Sequence, residues 1–285
     1  MAFFAAVCAA LFAIHPVPAE PQGLGGAGPG YATYFSGFGD PYGGCGVPQA
    51  WTVDDDGKAL PFVALNTFAG IDGQELGMFD GGKNCGRWLR MTACVDCKGG
   101  ASDQWRSCIK GGTSGLENYA SDTLSGTTLY GYVADSCGDF NLWCRGTPNH
   151  VDVSQAYLQP YVSAGLWGNR VVNWEFIDGP PAAWTFSVPV KFGWAKGAQL
   201  PYFPALIVHG TTRGVSRVQA KTSAGAFEDA VMNGALGQMW VLPASAEFVD
   251  RRVTVRVKDA AGKSYGEDVD VEFPCAGRCD RPTPA

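Results

Sequence analysis

The chain has 285 residues, of which 46% are hydrophobic and 17% are charged, and its formal net charge is -6. This balance gives no basic field for nucleic acid and no Lys/Arg block for a membrane surface, so neither partner is expected. Glycine (39 residues) and proline (18 residues) separate short runs rich in Val, Phe, Tyr, Trp and Thr, which is typical of a mostly β protein. An uncharged polymer such as a polysaccharide suits the 9 Trp and 10 Tyr, because aromatic faces stack on the C–H groups of sugar rings.

The chain begins with an apolar run over residues 2–14, followed by the small-residue sequence Val17-Pro18-Ala19. A helix needs about 20 apolar residues to span a bilayer, so this run is too short for a membrane anchor. It is typical of a secretory signal peptide, which we predict over residues 1–19. We therefore expect a secreted, monomeric protein of the extracellular space or cell wall.

The cysteines fit an exported protein. Loss of Cys8 with the signal peptide would leave nine of the ten cysteines. In an oxidising compartment this number implies up to four disulfides and one cysteine left over. The C-x-x-C sequence at residues 94–97 has no second such pair, and the mature chain has only His150 and His209 as histidine ligands. We therefore expect no metal and no other cofactor.

Two acidic residues, Asp135 and Asp152, are associated with short apolar runs. A strand-like run over residues 129–134 leads to Asp135, and a valine lies on each side of Asp152. Ser154 is a typical helix N-cap, and a helix beginning there would hold the Asp152 region rigid. Paired acids of this kind are common in carbohydrate sites, because a protonated carboxyl can donate to a glycosidic oxygen.

The chain divides after Gly179, where two prolines can continue neither a sheet ladder nor a helix. We predict a first domain over residues 20–179, a second over 180–274 and a C-terminal tail over 275–285, in which Cys275 and Cys279 bond to each other. Short strands separated by glycine turns predict a β-sandwich for the second domain. The predicted strands are Trp184–Val190, Ala205–His209, Val215–Lys221, Arg252–Lys258 and Val269–Phe273.

The sequence from residue 133 to residue 154 contains three short patterns in order, V-x-D-x-C, W-C and H-x-D-V-S. Together they resemble the first domain of expansins, wall-loosening proteins related to the family 45 endoglucanases. Three upstream segments support this resemblance, Gly30–Phe35, Gly43–Gly46 and Val63–Asn66. Residues 184–271 resemble the second expansin domain in their order of strands and glycines, so the resemblance covers nearly all of the mature chain.

This resemblance implies a six-stranded double-psi β-barrel followed by an immunoglobulin-like β-sandwich. It also implies two disulfides, which pair Cys45 with Cys85 and Cys137 with Cys144. The partner implied is a cell-wall polysaccharide, which could be cellulose, xyloglucan, mixed-linkage glucan or peptidoglycan.

The resemblance also assigns roles in a polysaccharide groove. Asp152 is the essential acid, protonated so that it donates a hydrogen bond to a glycan oxygen, while Asp135 and Thr33 orient the glycan chain. Cys137 occupies the position at which bacterial expansins have a tyrosine, and Tyr132 is the nearest aromatic residue.

Hydrolysis would require a second catalytic group. In family 45 endoglucanases the counterpart of Asp152 donates the proton, and the base follows the segment that matches residues 33–35. This chain has no acid there, so we prefer a non-hydrolytic, expansin-like function. The enzyme alternative is an endo-β-1,4-glucanase or a lytic transglycosylase, with Asp135 or Asp40 as a substitute base. A defence lectin resembling barwin is a third interpretation.

Aromatic residues are the remaining candidates for polysaccharide binding. In expansins the sandwich carries a row of exposed aromatics that dock flat on cellulose. The matching pair here is Tyr202 and Phe203, where the family more often has Trp, which predicts weaker flat-face binding. The other candidates are Trp194 in the second domain, and Tyr34 and Trp174 in the first.

Overall fold

The structure is a computed structural model that describes residues 27–36, 44–48, 51, 53–67, 77–97, 119–137, 144–145, 149–167, 169–184, 190–211, 213–233, 238–259 and 261–285. Within these ranges no helix is both long enough and apolar enough to cross a membrane. The predicted signal peptide and Asp40 lie outside the described residues, as does most of the predicted strand Trp184–Val190.

The first sheet contains seven strands in the order β4-β3-β5-β2-β6-β1-β7, and β3 also pairs with β7. Six strands therefore close into a barrel, and β4 only extends β3. The pairs β1–β6 and β2–β5 are parallel and the other pairs are antiparallel. The strands are β1 (Ala27–Phe35), β2 (Phe62–Asn66), β3 (Trp88–Cys97), β4 (Tyr119–Ala120), β5 (Thr128–Cys137), β6 (Val151–Ser154) and β7 (Asn169–Ile177).

A helix, α1 (Gln155–Ser163), directly follows β6, and a short 3-10 turn lies at Asp80–Gly82. The predicted start of this helix after Ser154 is confirmed, although the Ser154 side chain makes no capping hydrogen bond. Leu158 is the buried residue that packs α1 against the barrel. The helix therefore fixes the C-terminal end of the strand that carries Asp152.

Two antiparallel sheets form the second domain, with strand orders β11-β10-β14-β15 and β12-β13-β9-β8-β16. Their strands are β8 (Lys191–Trp194), β9 (Ala205–His209), β10 (Val215–Lys221), β11 (Phe227–Asp229), β12 (Val231–Asn233), β13 (Met239–Val241), β14 (Arg252–Asp259), β15 (Val269–Glu272) and β16 (Thr283–Pro284). The predicted architecture of barrel plus β-sandwich is confirmed. Residues 283–284, which the sequence assigned to a tail, pair with β8 and belong to the sandwich.

Strand β14 shows why the sandwich forms. Its residues alternate between the core, where Val253, Val255 and Val257 are buried, and an outer face that carries Arg252 and Arg256. The two arginines form exposed ion pairs across the sheet with acids on and beside β15. Exposed pairs of this kind stabilise a fold by only about 0 to 1 kcal/mol, so the buried valines contribute most of the stability.

Three disulfides join described cysteines, and they pair Cys45 with Cys85, Cys137 with Cys144 and Cys275 with Cys279. All three predicted pairings are confirmed. Cys94 is disulfide-bonded as well. The barrel and the sandwich also share one continuous cluster of buried hydrophobic residues, so the two domains pack directly against each other.

Candidate functional site

The strand register brings the two predicted acids to one face of the barrel sheet. Ala64 on β2 lies opposite Asp135 on β5 and opposite Asp152 on β6, and Thr33 on β1 lies opposite Asp152. Residues directly opposite each other project from the same face of a sheet. Neighbouring strands are about 4.8 Å apart, so the Cα atoms of the two acids are separated by about 10 Å. Ala64 has the smallest side chain of this row and is buried between the two acids.

Asp152 is held by a hydrogen-bond chain from the barrel interior. The Thr33 hydroxyl donates to Asp152 Oδ1 at 2.7 Å, and His150 Nε2 lies 2.8 Å from Thr33 Oγ1. His150 is fully buried, and burial lowers its pKa to about 3, so the ring is neutral at ordinary pH. While the Thr33 proton is directed at Asp152, His150 Nε2–H donates to Thr33. His150 and Thr33 therefore orient the carboxyl group.

His150 was not among the predicted site residues. The signal was nevertheless present in the H-x-D spacing, because residues two apart on an extended strand project from the same face. His150 immediately precedes β6, so it shares a face with Asp152.

Asp135 is held in a different way. Its Oδ1 accepts hydrogen bonds from the Gly44 N–H and from the Ser136 N–H, the second at 2.7 Å. Backbone donors on a carboxylate oxygen stabilise the ionised form. Gly44 packs so closely that an added Cβ would lie 2.5 Å from Ser136 Oγ, so a larger residue would force the Ser136 side chain to move. Asp135 is thus a fixed hydrogen-bond acceptor.

The Cys137–Cys144 disulfide lies beside Asp152. The two sulfurs and a carboxylate oxygen of Asp152 all lie within 4.8 Å of one another. Because both sulfurs are joined in the disulfide, they are not available as thiolate ligands for a metal. Ala64 and Phe35 pack against this disulfide, so the disulfide covers the Ala64 side chain between the two acids.

Two of the predicted aromatic residues belong to the core and not to a binding surface. Trp174 is 2% exposed and donates its indole N–H to the Asn149 carbonyl at 2.8 Å. Trp194 is fully buried between the two sheets of the sandwich, where it donates to the Glu272 carbonyl at 2.6 Å and packs edge-on against Phe273. Buried rings cannot stack on a polymer, so the prediction that these two residues bind polysaccharide is wrong.

The remaining aromatic candidates differ in accessibility. Tyr202 is 82% exposed, whereas Phe203 is half-buried against the core. Tyr34 is 39% exposed, but it follows Thr33 on β1 and so projects from the opposite face of the strand. Tyr132 does not fill the position of the groove tyrosine, because its hydroxyl lies inside the protein against His209.

Solved structures of other proteins share this two-domain architecture. No protein-family model and no curated protein matches the sequence. Among solved structures, the chain is similar to an expansin from Clavibacter michiganensis. A mutant of that protein in complex with cellohexaose is 16% identical, with a TM-score of 0.55, and the match covers 90% of this chain and 95% of that chain. For the apo protein the identity is 16%, the TM-score is 0.56 and the coverages are 91% and 96%.

At this level of identity the likeness establishes the fold. The chain has the fold of an expansin, a double-psi β-barrel followed by a β-sandwich, and the match extends over both domains.

Proposed function

We propose that the protein binds a cellulose-type cell-wall polysaccharide across the row formed by Asp135, Ala64, Asp152 and Thr33, and loosens it without hydrolysis. The observation that carries this proposal is the placement of both acids on one sheet face, on either side of the small Ala64 side chain. A protonated Asp152 donates to a glycan oxygen, while ionised Asp135 accepts from a sugar hydroxyl. The expansin with the same fold was crystallised with cellohexaose, which supports a β-glucan as the ligand.

The environment of Asp135 supports a non-hydrolytic function. An inverting glycosidase needs a carboxylate that removes a proton from water on the far side of the sugar. Asp135 Oδ1 already accepts two backbone N–H groups, so the lone pairs of this oxygen are already engaged. The position after Phe35, where the related endoglucanases have their base, is occupied by Ser36.

We also propose that the protein is exported. Disulfides persist in oxidising compartments, and the chain contains three between described cysteines. The apolar run at residues 2–14 provides the signal for export.

The function is tested by measuring reducing-end release from amorphous cellulose and mixed-linkage glucan, pull-down on the same polymers, and extension of isolated cell walls under load. We expect binding and extension without release. Asp152→Ala should weaken binding about two- to tenfold, because it removes a hydrogen bond that contributes about 0.5 to 1.5 kcal/mol, whereas Asp152→Asn keeps a neutral donor and should bind nearly as well. Asp56→Ala is the matched control, since Asp56 is an exposed turn residue.

Other outcomes of this experiment would identify the alternatives. Sugar release that disappears in Asp152→Asn would make the protein an endoglucanase and Asp135 the first candidate for its base. Anhydro-muropeptides released from peptidoglycan would identify a lytic transglycosylase. Binding to chitin-type oligosaccharides without wall extension would support the barwin-like lectin.

The second domain contributes through Tyr202. Removing its exposed ring in Tyr202→Ala should weaken binding to crystalline cellulose about two- to tenfold, as expected for one aromatic contact of about 0.5 to 1.5 kcal/mol. Binding isotherms on microcrystalline cellulose measure this effect, and Tyr202→Trp should strengthen binding. Val231→Ala is the control, because Val231 is 70% exposed in an edge strand of the sandwich. Equal loss in both alanine variants would mean that Tyr202 is not a specific contact.

A further inference from the structure

The segment 44–48 lies between the barrel and the sandwich. On the barrel side, the Cys45 N–H donates to the Ala134 carbonyl of β5 at 3.1 Å. On the sandwich side, a Cβ added to Gly46 would lie 3.1 Å from Ile207 Cδ1 of β9. The segment is therefore in contact with both domains, and its position depends on how they dock.

One side chain of the sandwich makes polar contacts with the barrel at this point. His209, the last residue of β9, is fully buried, with Nε2 3.3 Å from the Cys45 carbonyl and Nδ1 3.1 Å from the Tyr132 hydroxyl. A carbonyl only accepts, so Nε2 carries the proton and Nδ1 accepts from Tyr132. Trp51 packs edge-on against the ring at a centroid distance of 5.2 Å. These contacts fix one tautomer and one orientation of His209.

Both polar partners of His209 lie on backbone segments that contact or carry Asp135. Tyr132 lies on β5, three residues before Asp135. Cys45 directly follows Gly44, whose N–H donates to Asp135 Oδ1. The cost of leaving a buried donor or acceptor unpaired keeps both links formed. A residue of the second domain thus holds the two backbone segments that position an acid of the first.

We propose that His209 is a positioning residue for Asp135, so that docking of the sandwich on the barrel sets the geometry of the polysaccharide groove. The inference deepens the proposed function and rests on it, because Asp135 is taken to contact the glycan. The sandwich would then have two roles, to bind the polymer through Tyr202 and to position Asp135 of the barrel. The barrel groove is complete only while β9 is docked.

Two substitutions of similar size separate the two hydrogen bonds of His209. In His209→Gln the side-chain amide reaches the position of Nε2 and can still donate to the Cys45 carbonyl. In His209→Asn the shorter amide reaches only the position of Nδ1, so it can accept from Tyr132 but not reach Cys45. Arg213→Ala is the control, since it breaks an exposed ion pair between Arg213 and Asp178 that also joins the domains.

The first readout is the amide proton shift of Gly44 in the full-length, ¹⁵N-labelled protein without ligand. The hydrogen bond to Asp135 moves this resonance downfield. We expect an upfield shift in His209→Asn, a smaller one in His209→Gln, which keeps the bond to Cys45 but loses the bond to Tyr132, and the wild-type position in Arg213→Ala. Tyr132→Phe removes the hydrogen bond to His209 Nδ1 and should shift the Gly44 resonance in the same direction by a smaller amount. This variant replaces His209→Asn if His209→Asn does not fold.

The second readout is the dissociation constant for cellohexaose. It should rise about two- to tenfold in His209→Asn, the range expected for one lost hydrogen bond, and rise less in His209→Gln, which keeps the bond to Cys45. An unshifted Gly44 amide in both His209→Asn and Tyr132→Phe would overturn the proposal, as would equal effects of His209→Asn and Arg213→Ala. The Gly44 shift is measured without ligand, so it tests whether His209 positions Asp135 independently of binding. If the wild-type protein does not bind cellohexaose, the proposed function fails but this test remains valid.

Discussion

Lowering the pH from 7 to 4 should reduce the free energy of unfolding by several kcal/mol, because two buried histidines stay neutral in the folded protein. Burial lowers the pKa of His150 to about 3, and burial together with the charge of Lys191 lowers that of His209 to about 4, from an ordinary value of 6.5. Below pH 6.5 the unfolded chain binds protons that the folded protein does not bind, so stability falls with falling pH. At 1.36 kcal/mol per pKa unit, each ring contributes a loss of about 3 kcal/mol at pH 4.

The groups that contact each ring also affect its pKa in the folded protein. His209 faces the Tyr132 hydroxyl, the Cys45 carbonyl and the Trp51 ring, and the Cys45 carbonyl favours the protonated ring and raises its pKa against the effect of burial. His150 contacts the Thr33 hydroxyl, which in turn contacts the Asp152 carboxylate.

Urea unfolding at pH 7, 5.5 and 4.5 measures the dependence. The free energy of unfolding should begin to fall near pH 6.5 and continue to fall to about pH 4 for His209 and about pH 3 for His150. His209→Gln removes one titrating group and should make the curve about half as steep in this window. A wild-type stability that stays constant between pH 7 and pH 4.5 would show that the folded protein protonates both rings without cost.

Local patterns in the sequence predict a mostly β protein with a sandwich as its second domain, and the resemblance to expansins implies the double-psi barrel and the roles of the two acids. Short alternating runs define the strands, and the spacing of V-x-D-x-C and H-x-D-V-S places Asp135 and Asp152 on adjacent segments. The Cys45–Cys85 and Cys137–Cys144 pairs followed from resemblance to expansins and not from spacing, since several pairings were compatible with the cysteine count.

The misassigned or missed residues are those whose environment depends on packing between distant segments. Trp194 reads as a surface aromatic, but its indole N–H is satisfied by a backbone carbonyl 78 residues away, so the ring can be buried. His209 contacts residues 77 and 164 positions away, across the domain interface. Neither contact leaves a local pattern, and a single tryptophan or histidine in a strand is compatible with core and surface alike.

A buried ion pair on the barrel predicts the other large effect. Arg170 of β7 has a fully buried side chain, and its two terminal nitrogens donate to Asp122 Oδ2 and Oδ1 at 2.7 and 2.9 Å. It also donates to the Leu166 carbonyl at 2.8 Å. Asp122 lies in the turn that leads into β5, the strand that carries Asp135. The pair therefore joins β7 to the start of a groove strand.

Asp122→Ala should lower the free energy of unfolding by about 3 to 5 kcal/mol, because it leaves the Arg170 guanidinium buried without a counter-charge. Asp122→Asn should cost less, since its side-chain oxygen can still accept from the Leu124 and Ser125 N–H groups, as Asp122 Oδ1 does. Arg213→Ala breaks a pair in which both side chains are more than half exposed, so it should change stability by less than about 1 kcal/mol. Urea unfolding at pH 7 measures all three variants. Similar losses in Asp122→Ala and Arg213→Ala would mean that water reaches Arg170 and that the pair is not buried in solution.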